Sequence, residues 1–206
     1  MNMKKNNTDR FSLILWSILI LVVVFFGWNS TFFQSSLVWA EKNSLAIRIA
    51  DGPIILAGDI NTAKNLMRPA LQSRHKKSAE IFLPEVENGI AMTGKNYQLQ
   101  KINDRLSILQ IKEKRIFVIQ GADISDFLSP PVDTRSDVWI VLKNGNYQDL
   151  PMPSSAIVFL GNSRKNDALN ERAKKSQTAL LSAAKLGGIL LKPTDQGWDI
   201  KARKTR

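Results

Sequence analysis

Two apolar runs in this chain each stop on a carboxylate. "GPIILAGDI", residues 52–60, carries Asp59, and "RIFVIQGADI", residues 115–124, carries Asp123. Strands that end in acids can deliver ligands to a metal, so the first chemistry to weigh is metal-dependent hydrolysis. Oxygen donors from Asp59, Asp123 and Glu85 or Glu87 would suit magnesium or calcium, although nothing in their spacing recommends the set. Zinc needs three or four converging nitrogen, sulfur or oxygen ligands, and the chain has no cysteine and a single histidine. That histidine, His75, stands in "QSRHKK", where neighbouring cations disfavour a bound ion, and reads as a solvated residue at a helix end. The plainer account of Asp59 and Asp123 is that each caps the segment after it, as "DINTAKNL" and "DISDFL" suggest. The expectation is therefore no catalytic residue, no metal and no cofactor.

Other chemistry is no better represented. The absence of cysteine removes disulfides, thiolate zinc sites and a cysteine nucleophile together. A Ser-His-Asp arrangement would have only His75 as its base. "GKNYQ" and "LGNSRKN" lack the glycine spacing and the Lys-Ser/Thr of a phosphate loop, and no dinucleotide fingerprint appears.

The elements that would hold the two acids alternate between strand and helix. "SLAIRIADGPIILAGDI" reads as a hairpin turning at Asp51-Gly52. In "NTAKNLMRPALQSRH", Ala63, Leu66, Met67, Ala70 and Leu71 share a helical face, with Asn61 as the cap and Pro69 bending or shortening the helix. "AEIFLP" is a short apolar strand, and "DRLSILQIKEKRIFVIQGADI" a second hairpin turning at Lys112–Arg115. "DVWIVL" and "SSAIVFLGN" are unbroken apolar runs, which predict strands buried on both faces under helices. "NDALNERAKKSQTALLSAAKLGG" predicts one last helix, capped by Asn166 or Asp167 and stopped by Gly187-Gly188. "GILLKPTDQGWDIKARK" then gives strand, turn and strand. The two hairpins are weakly alike, each ending in a small residue, Asp and Ile. Together these features predict an α/β fold in which two similar layers back on each other, each covered by helices.

The amino terminus predicts a membrane anchor. Lys4, Lys5 and Arg10 precede "FSLILWSILILVVVFFGW", which is uncharged from Phe11 to Trp28. Eighteen helical residues span about 27 Å, close to the roughly 30 Å of a bilayer core. The basic flank places residues 1–10 in the cytoplasm and the remainder outside a cell membrane crossed once. Trp28, Phe32, Phe33 and Trp39 would then sit at the outer interface. The rival is a cleaved signal peptide, with Val38 and Ala40 at the small-residue positions and secretion after a cut following Ala40. The expected organisation is a basic tail at 1–10, a transmembrane helix at 11–28, a linker at 29–43, an α/β domain at 44–201 and a basic tail at 202–206.

"RLSILQIKEKRIFVIQGADISDFL", "SDVWIVLKNG", "SSAIVFLGNS" and "LLSAAKLGGILLKPTDQGWDI" follow one another in an order that resembles the second half of the metallo-β-lactamase domain at the end of ComEC-type DNA-uptake channel proteins. The earlier "LAIRIADGPIILAGDI" and "AEIFLPEVENG" would occupy its first half. The resemblance covers roughly residues 44–201, and "PTDQGWDI" is its nearest match. It implies a two-layer αββα sandwich and a role near DNA uptake, or competence. It also implies metal-ligand positions that this chain has lost. "PEVENGIAM" has no histidine where the family carries its His-x-His-x-Asp-His cluster. Lys143 and Asn144 replace a His-His pair, and "GNSRKND" lacks the late histidine. Only Asp123 matches a family ligand.

The charge points to a partner. Of 29 Lys+Arg and 18 Asp+Glu, three cations and one acid precede residue 41, so the exported part holds 26 against 17, an excess of nine. Cations gather at Arg164, Lys165, Arg172, Lys174 and Lys175, and again at Lys201, Arg203 and Lys204. If the last helix and last strand lie together, these form one patch for DNA or another polyanion, bound through phosphates without reading sequence. The alternative is a solvated helix face and a basic tail. Trp198 is expected to pack against the last helix. Three functions stay open: a non-catalytic binding or assembly protein, a metal-dependent hydrolase with unusual ligands, and a structural subunit among other envelope proteins.

Overall fold

The computed structural model describes residues 16–21, 36–72, 79–121, 135–143, 151–161 and 167–202, with residues 67–72 as backbone only. The chain divides into two units, Met1–Ser35 and Ser36–Arg206. In the first, residues 16–21 are helical and exposed. Among the described residues no helix is long and apolar enough to cross a membrane. Most of the expected span at 11–28 lies outside them.

The second unit holds two sheets. The first joins β1 (Leu37–Glu41), β2 (Ser44–Arg48), β3 (Ile54–Gly58), β4 (Glu80–Phe82), β12 (Ile189–Thr194) and β13 (Gly197–Ala202) in the order β13-β12-β1-β2-β3-β4. The second joins β5 (Ala91–Gly94), β6 (Tyr97–Lys101), β7 (Leu106–Ile111), β8 (Lys114–Gln120), β9 (Val138–Lys143), β10 (Ala156–Phe159) and β11 (Ala179–Ser182) in the order β11-β10-β9-β8-β7-β6-β5. Among the described residues, α1 (Ile60–Gln72), α2 (Asp167–Lys175) and the short α3 (Ala183–Leu186) complete it.

Side chains of successive strand residues point to opposite faces, and this sorts the apolar residues into three layers. Val38, Ala40, Leu45, Ile47 and Ile55 of the first sheet meet Leu109, Ile116, Val118, Ile140 and Val158 of the second in one seam. The intervening residues face outward. Ala46, Ile54 and Leu56 pack under Ala63 of α1, while Phe117, Trp139, Ile157 and Phe159 pack under Leu169 of α2. Helix, sheet, sheet, helix is the layering expected from the sequence, and each hairpin stands in its own sheet. The unbroken runs "DVWIVL" and "SSAIVFLGN" are central strands β9 and β10, paired in parallel and covered on both sides.

Three expectations give way. Residues 29–43 are not a linker throughout, because Leu37–Glu41 form a strand in the middle of a sheet, paired with β12 on one side and β2 on the other. Leu37, Val38 and Ala40 are buried there, and Trp39 packs against the cluster under α1. The long last helix is also divided. α2 ends at Lys175, Gln177 takes a left-handed conformation, and Ala179–Ser182 join β10 as a parallel strand before α3 begins. The apolar "ALL" adds an edge to the sheet, which outweighs its helical propensity. Gly187, left-handed at the end of α3, is the stop that the sequence predicted. Finally, Trp198 lies against the seam between the sheets, which includes Ala183 of α3.

Gly58 ends β3 with φ +78°, and a Cβ there would stand 2.1 Å from the Asn43 carbonyl oxygen. Gly89 has a similar φ, +80°, with nothing within 4 Å. Gly89→Ala should cost about 1–2 kcal/mol for the left-handed backbone alone. Gly58→Ala adds an overpacking cost of about 1–3 kcal/mol. Urea unfolding followed by tryptophan fluorescence should rank the two in that order.

Candidate functional site

The sandwich has two working edges. At one, the turn between β1 and β2 bridges the sheets. Asn43, left-handed at φ 60°, offers its carbonyl to the Asp59 N–H at 2.9 Å, and its side-chain oxygen lies 3.7 Å from where a Cβ on Gly161 would stand. Ser44 Oγ donates to the Asp59 carbonyl at 3.2 Å, and Ser182 Oγ to that of Gly161 at 3.5 Å. β3, β10 and β11 all end here.

Asp59, the acid singled out at the end of β3, is the N-cap of α1. Its Oδ1 accepts the N–H groups of Asn61 and Thr62 at 3.1 and 3.4 Å, and its Oδ2 accepts the Thr62 hydroxyl at 3.0 Å. The cap is thus Asp59 and not Asn61, as the rule that a cap satisfies donors two and three residues ahead requires. Asp123 and His75 lie outside the described residues. Glu85 closes a 3-10 turn, Leu83–Glu85, and is exposed, as is Glu87. Among the described residues, no three His, Cys, Asp or Glu side chains stand together as a metal would need.

A buried cation organises the segment after that turn. Lys101, at the end of β6, is 4% exposed, and its Nζ donates to the Val86 carbonyl at 2.5 Å and the Pro84 carbonyl at 3.4 Å. It also pairs with the Asp104 carboxylate at 3.3 Å. A buried ammonium needs such partners, because its desolvation is costly unless hydrogen bonds replace water. Nothing in the sequence flagged Lys101. Its only signal is an ionisable residue at a position whose strand neighbour, Leu99, is core.

The opposite edge, where β8, β9 and β10 begin, holds an open cleft of ≈ 460 Å³. Gln110, Glu113 and Arg115 wall it from the β7–β8 hairpin, Arg135 and Asp137 from the approach to β9, and Pro151, Met152 and Ser154 from the approach to β10. Asp137 ties these strands together. Its Oδ2 accepts the Arg115 N–H at 2.7 Å and its Oδ1 the Ser154 hydroxyl at 3.2 Å. Arg115 Nη1 donates to the Arg135 carbonyl at 3.2 Å. Sequence reading missed this cleft because its walls come from three separate segments, none of which carries a motif.

The expected basic patch is not one surface among the described residues. Arg172, Lys174 and Lys175 lie in the last turn of α2. That end of the helix returns to the start of β10, since Thr178 Oγ1 donates to the Pro153 carbonyl at 2.7 Å and Ala179 N–H to that of Ser155 at 3.0 Å. Lys201 pairs across β13–β12 with Leu190, itself opposite Trp39, next to the level where Ala202, Ile189 and Ala40 align beside the β1–β2 turn. It therefore stands near the other edge, and on the other sheet, with its ammonium 2.9 Å from Asp199. A crossover helix runs back against its strands, so its end and the end of β13 are separated by about a strand length, roughly 17 Å. Arg164, Lys165, Arg203 and Lys204 lie outside the described residues.

No family model matches the chain, and no curated protein does. Among solved structures there is a likeness to the metallo-beta-lactamase fold protein YhfI from Bacillus subtilis, with a TM-score of 0.44 and 7% identity, covering 77% of this chain and 100% of that one. A similarity of that size bears no weight on family or function.

Asp59→Ala should cost about 1 kcal/mol of stability through loss of the cap, whereas Asp59→Asn, whose amide oxygen still accepts, should cost a few tenths at most. Thermal melts of the two variants check the ranking. An equal and large loss in both would mean that the carboxylate charge does something other than cap α1.

Proposed function

We propose that this chain is a membrane-anchored, extracytoplasmic protein whose metallo-β-lactamase-like domain works by binding or assembly rather than by turnover. Its partner is a polyanion, DNA first, and the process nearest to hand is DNA uptake. The observation that carries the reading is the excess of nine positive charges in the part after Ala40, with Lys174 and Lys175 exposed on α2. Support for a role without turnover comes from Asp59, whose two oxygens already serve the first turn of α1. The sequence resemblance adds three ligand positions filled by other residues.

The uncleaved anchor is favoured over secretion by the place of Ala40. It is 2% exposed and paired with Ile189 and Leu45. A cut after it would take Leu37–Ala40 out of the sheet and leave β2 and β12 without their shared neighbour. Protein extracted from membranes should therefore give an intact mass that includes residues upstream of Ser36. A mass starting at Glu41 would count against the anchor.

The binding reading is tested with full-length protein in detergent and a fluorescent oligonucleotide. Affinity should fall at least about tenfold between about 50 and about 200 mM salt, as counterion release requires. Lys174→Glu with Lys175→Glu should weaken it further. Salt-independent binding, or none, would sink the polyanion reading, and stoichiometric zinc, manganese or iron in purified protein would sink the role without turnover.

A further inference from the structure

We propose that nucleic acid lies along the edge where β8, β9 and β10 begin, with its phosphodiester backbone entering the cleft beside Arg115 and Arg135. This rests on the polyanion reading above and assigns it a place and a set of contacts.

The argument starts from what the fold gathers at that edge. Lys112, left-handed at φ 54° and exposed, forms the tip of the β7–β8 hairpin. Its N–H donates to the Asn96 carbonyl at 3.2 Å, which sets the β5–β6 turn, with exposed Lys95, beside it. Lys114 follows the tip, and Arg115 enters the cleft wall. Across the opening stands exposed Arg135, linked to Arg115 through its own carbonyl. The far side is closed by the segment before β10, to which the end of α2, with Lys174 and Lys175, is tied through Thr178 and Pro153. Four segments distant in sequence thus bring seven cations to one rim.

The acids of those segments do not cancel them. Asp137 is turned toward its own strands, with one oxygen on the Arg115 N–H and the other on Ser154 Oγ. Glu113 lies at the tip, and Asp51 stands in the β2–β3 turn that Asn96 Nδ2 reaches through the Ala50 carbonyl at 3.4 Å. Glu171, exposed on α2 one turn before Lys174 and Lys175, is the fourth acid. Among the described residues, four acids against seven cations leave a positive edge.

The shape selects among polyanions. A flat lipid surface meets only projecting lysines, whereas here Arg115, half-buried, lines a recess of ≈ 460 Å³. A phosphate on a flexible strand enters such a recess, and the planar guanidinium fork suits its oxygens. Pro151 and Met152 give the recess an apolar wall for a sugar or base face. Contacts of this kind position a backbone and carry no sequence information.

The test uses the full-length protein in detergent, single- and double-stranded labelled oligonucleotides, and vesicles containing phosphatidylglycerol. Lys112→Glu with Arg135→Glu, both exposed side chains, should lower oligonucleotide affinity about tenfold or more and reduce the salt slope by about two. Lys185→Glu, a basic and exposed residue of α3 at the other edge, should change affinity less than about twofold, and thermal melts should show all variants folded. Strong binding by the parent chain that the double variant leaves unchanged, or that Lys185→Glu weakens equally, overturns the placement while the polyanion reading stands. Absence of binding to oligonucleotide and vesicle alike by the parent chain removes both. Vesicle binding without oligonucleotide binding overturns the choice of nucleic acid and with it this placement.

Discussion

The seam between the two sheets is the constraint on which the rest of this domain depends. Strand residues alternate between two faces, and here both faces are covered, so the middle of β2 and β8, and β9 and β10 nearly throughout, have to be apolar. That requirement drives charge to the sheet edges and the helix surfaces. The two edges then differ by chemistry. One is closed by hydrogen bonds within each sheet, between the Asn43–Ser44 turn and Asp59 in the first and between Ser182 and Gly161 in the second, and the other opens into a cleft bordered by arginines.

Charge near the core is handled in two ways. Where an ammonium is buried, as at Lys101, it is surrounded by carbonyl oxygens and a carboxylate, so burial is offset by hydrogen bonds. Where a carboxylate ends a strand, as at Asp59, it turns onto the first donors of the next helix. Both arrangements stabilise local backbone, and both show that a polar residue at a strand end does not by itself denote chemistry. Among the described residues, the Trp198 indole N–H is buried without an acceptor, which is a standing cost beside an apolar seam.

Much of the layering was legible in the sequence because it follows from local pattern. The hairpins at Asp51-Gly52 and Lys112–Arg115, the unbroken runs of β9 and β10, and the Gly187 stop each carry a signal within a few residues. What escaped was non-local. Leu37–Glu41 look like a linker or the cleavage region after an apolar leader, and only pairing with β2 and β12 makes them a strand. Ala179–Ser182 look helical, and only the free side of β10 makes them extended. The cleft was invisible for the same reason, since Arg115, Arg135 and Ser154 meet only after three strands align. The split of Lys174 and Lys175 from Lys201 likewise reflects helix direction relative to the sheet, which composition does not encode.

The position of β1 bears on how the domain comes into being. Its two neighbours are β2, which follows almost at once, and β12, near the end of the chain; Trp39 aligns with Ala46 on one side and Leu190 on the other. Closing so long a loop is slow compared with forming a hairpin. The first sheet therefore stays unfinished until the β12–β13 hairpin is in place beside β1. A sheet whose opening strand must wait for its closing hairpin cannot be completed piecemeal, so its two ends order together.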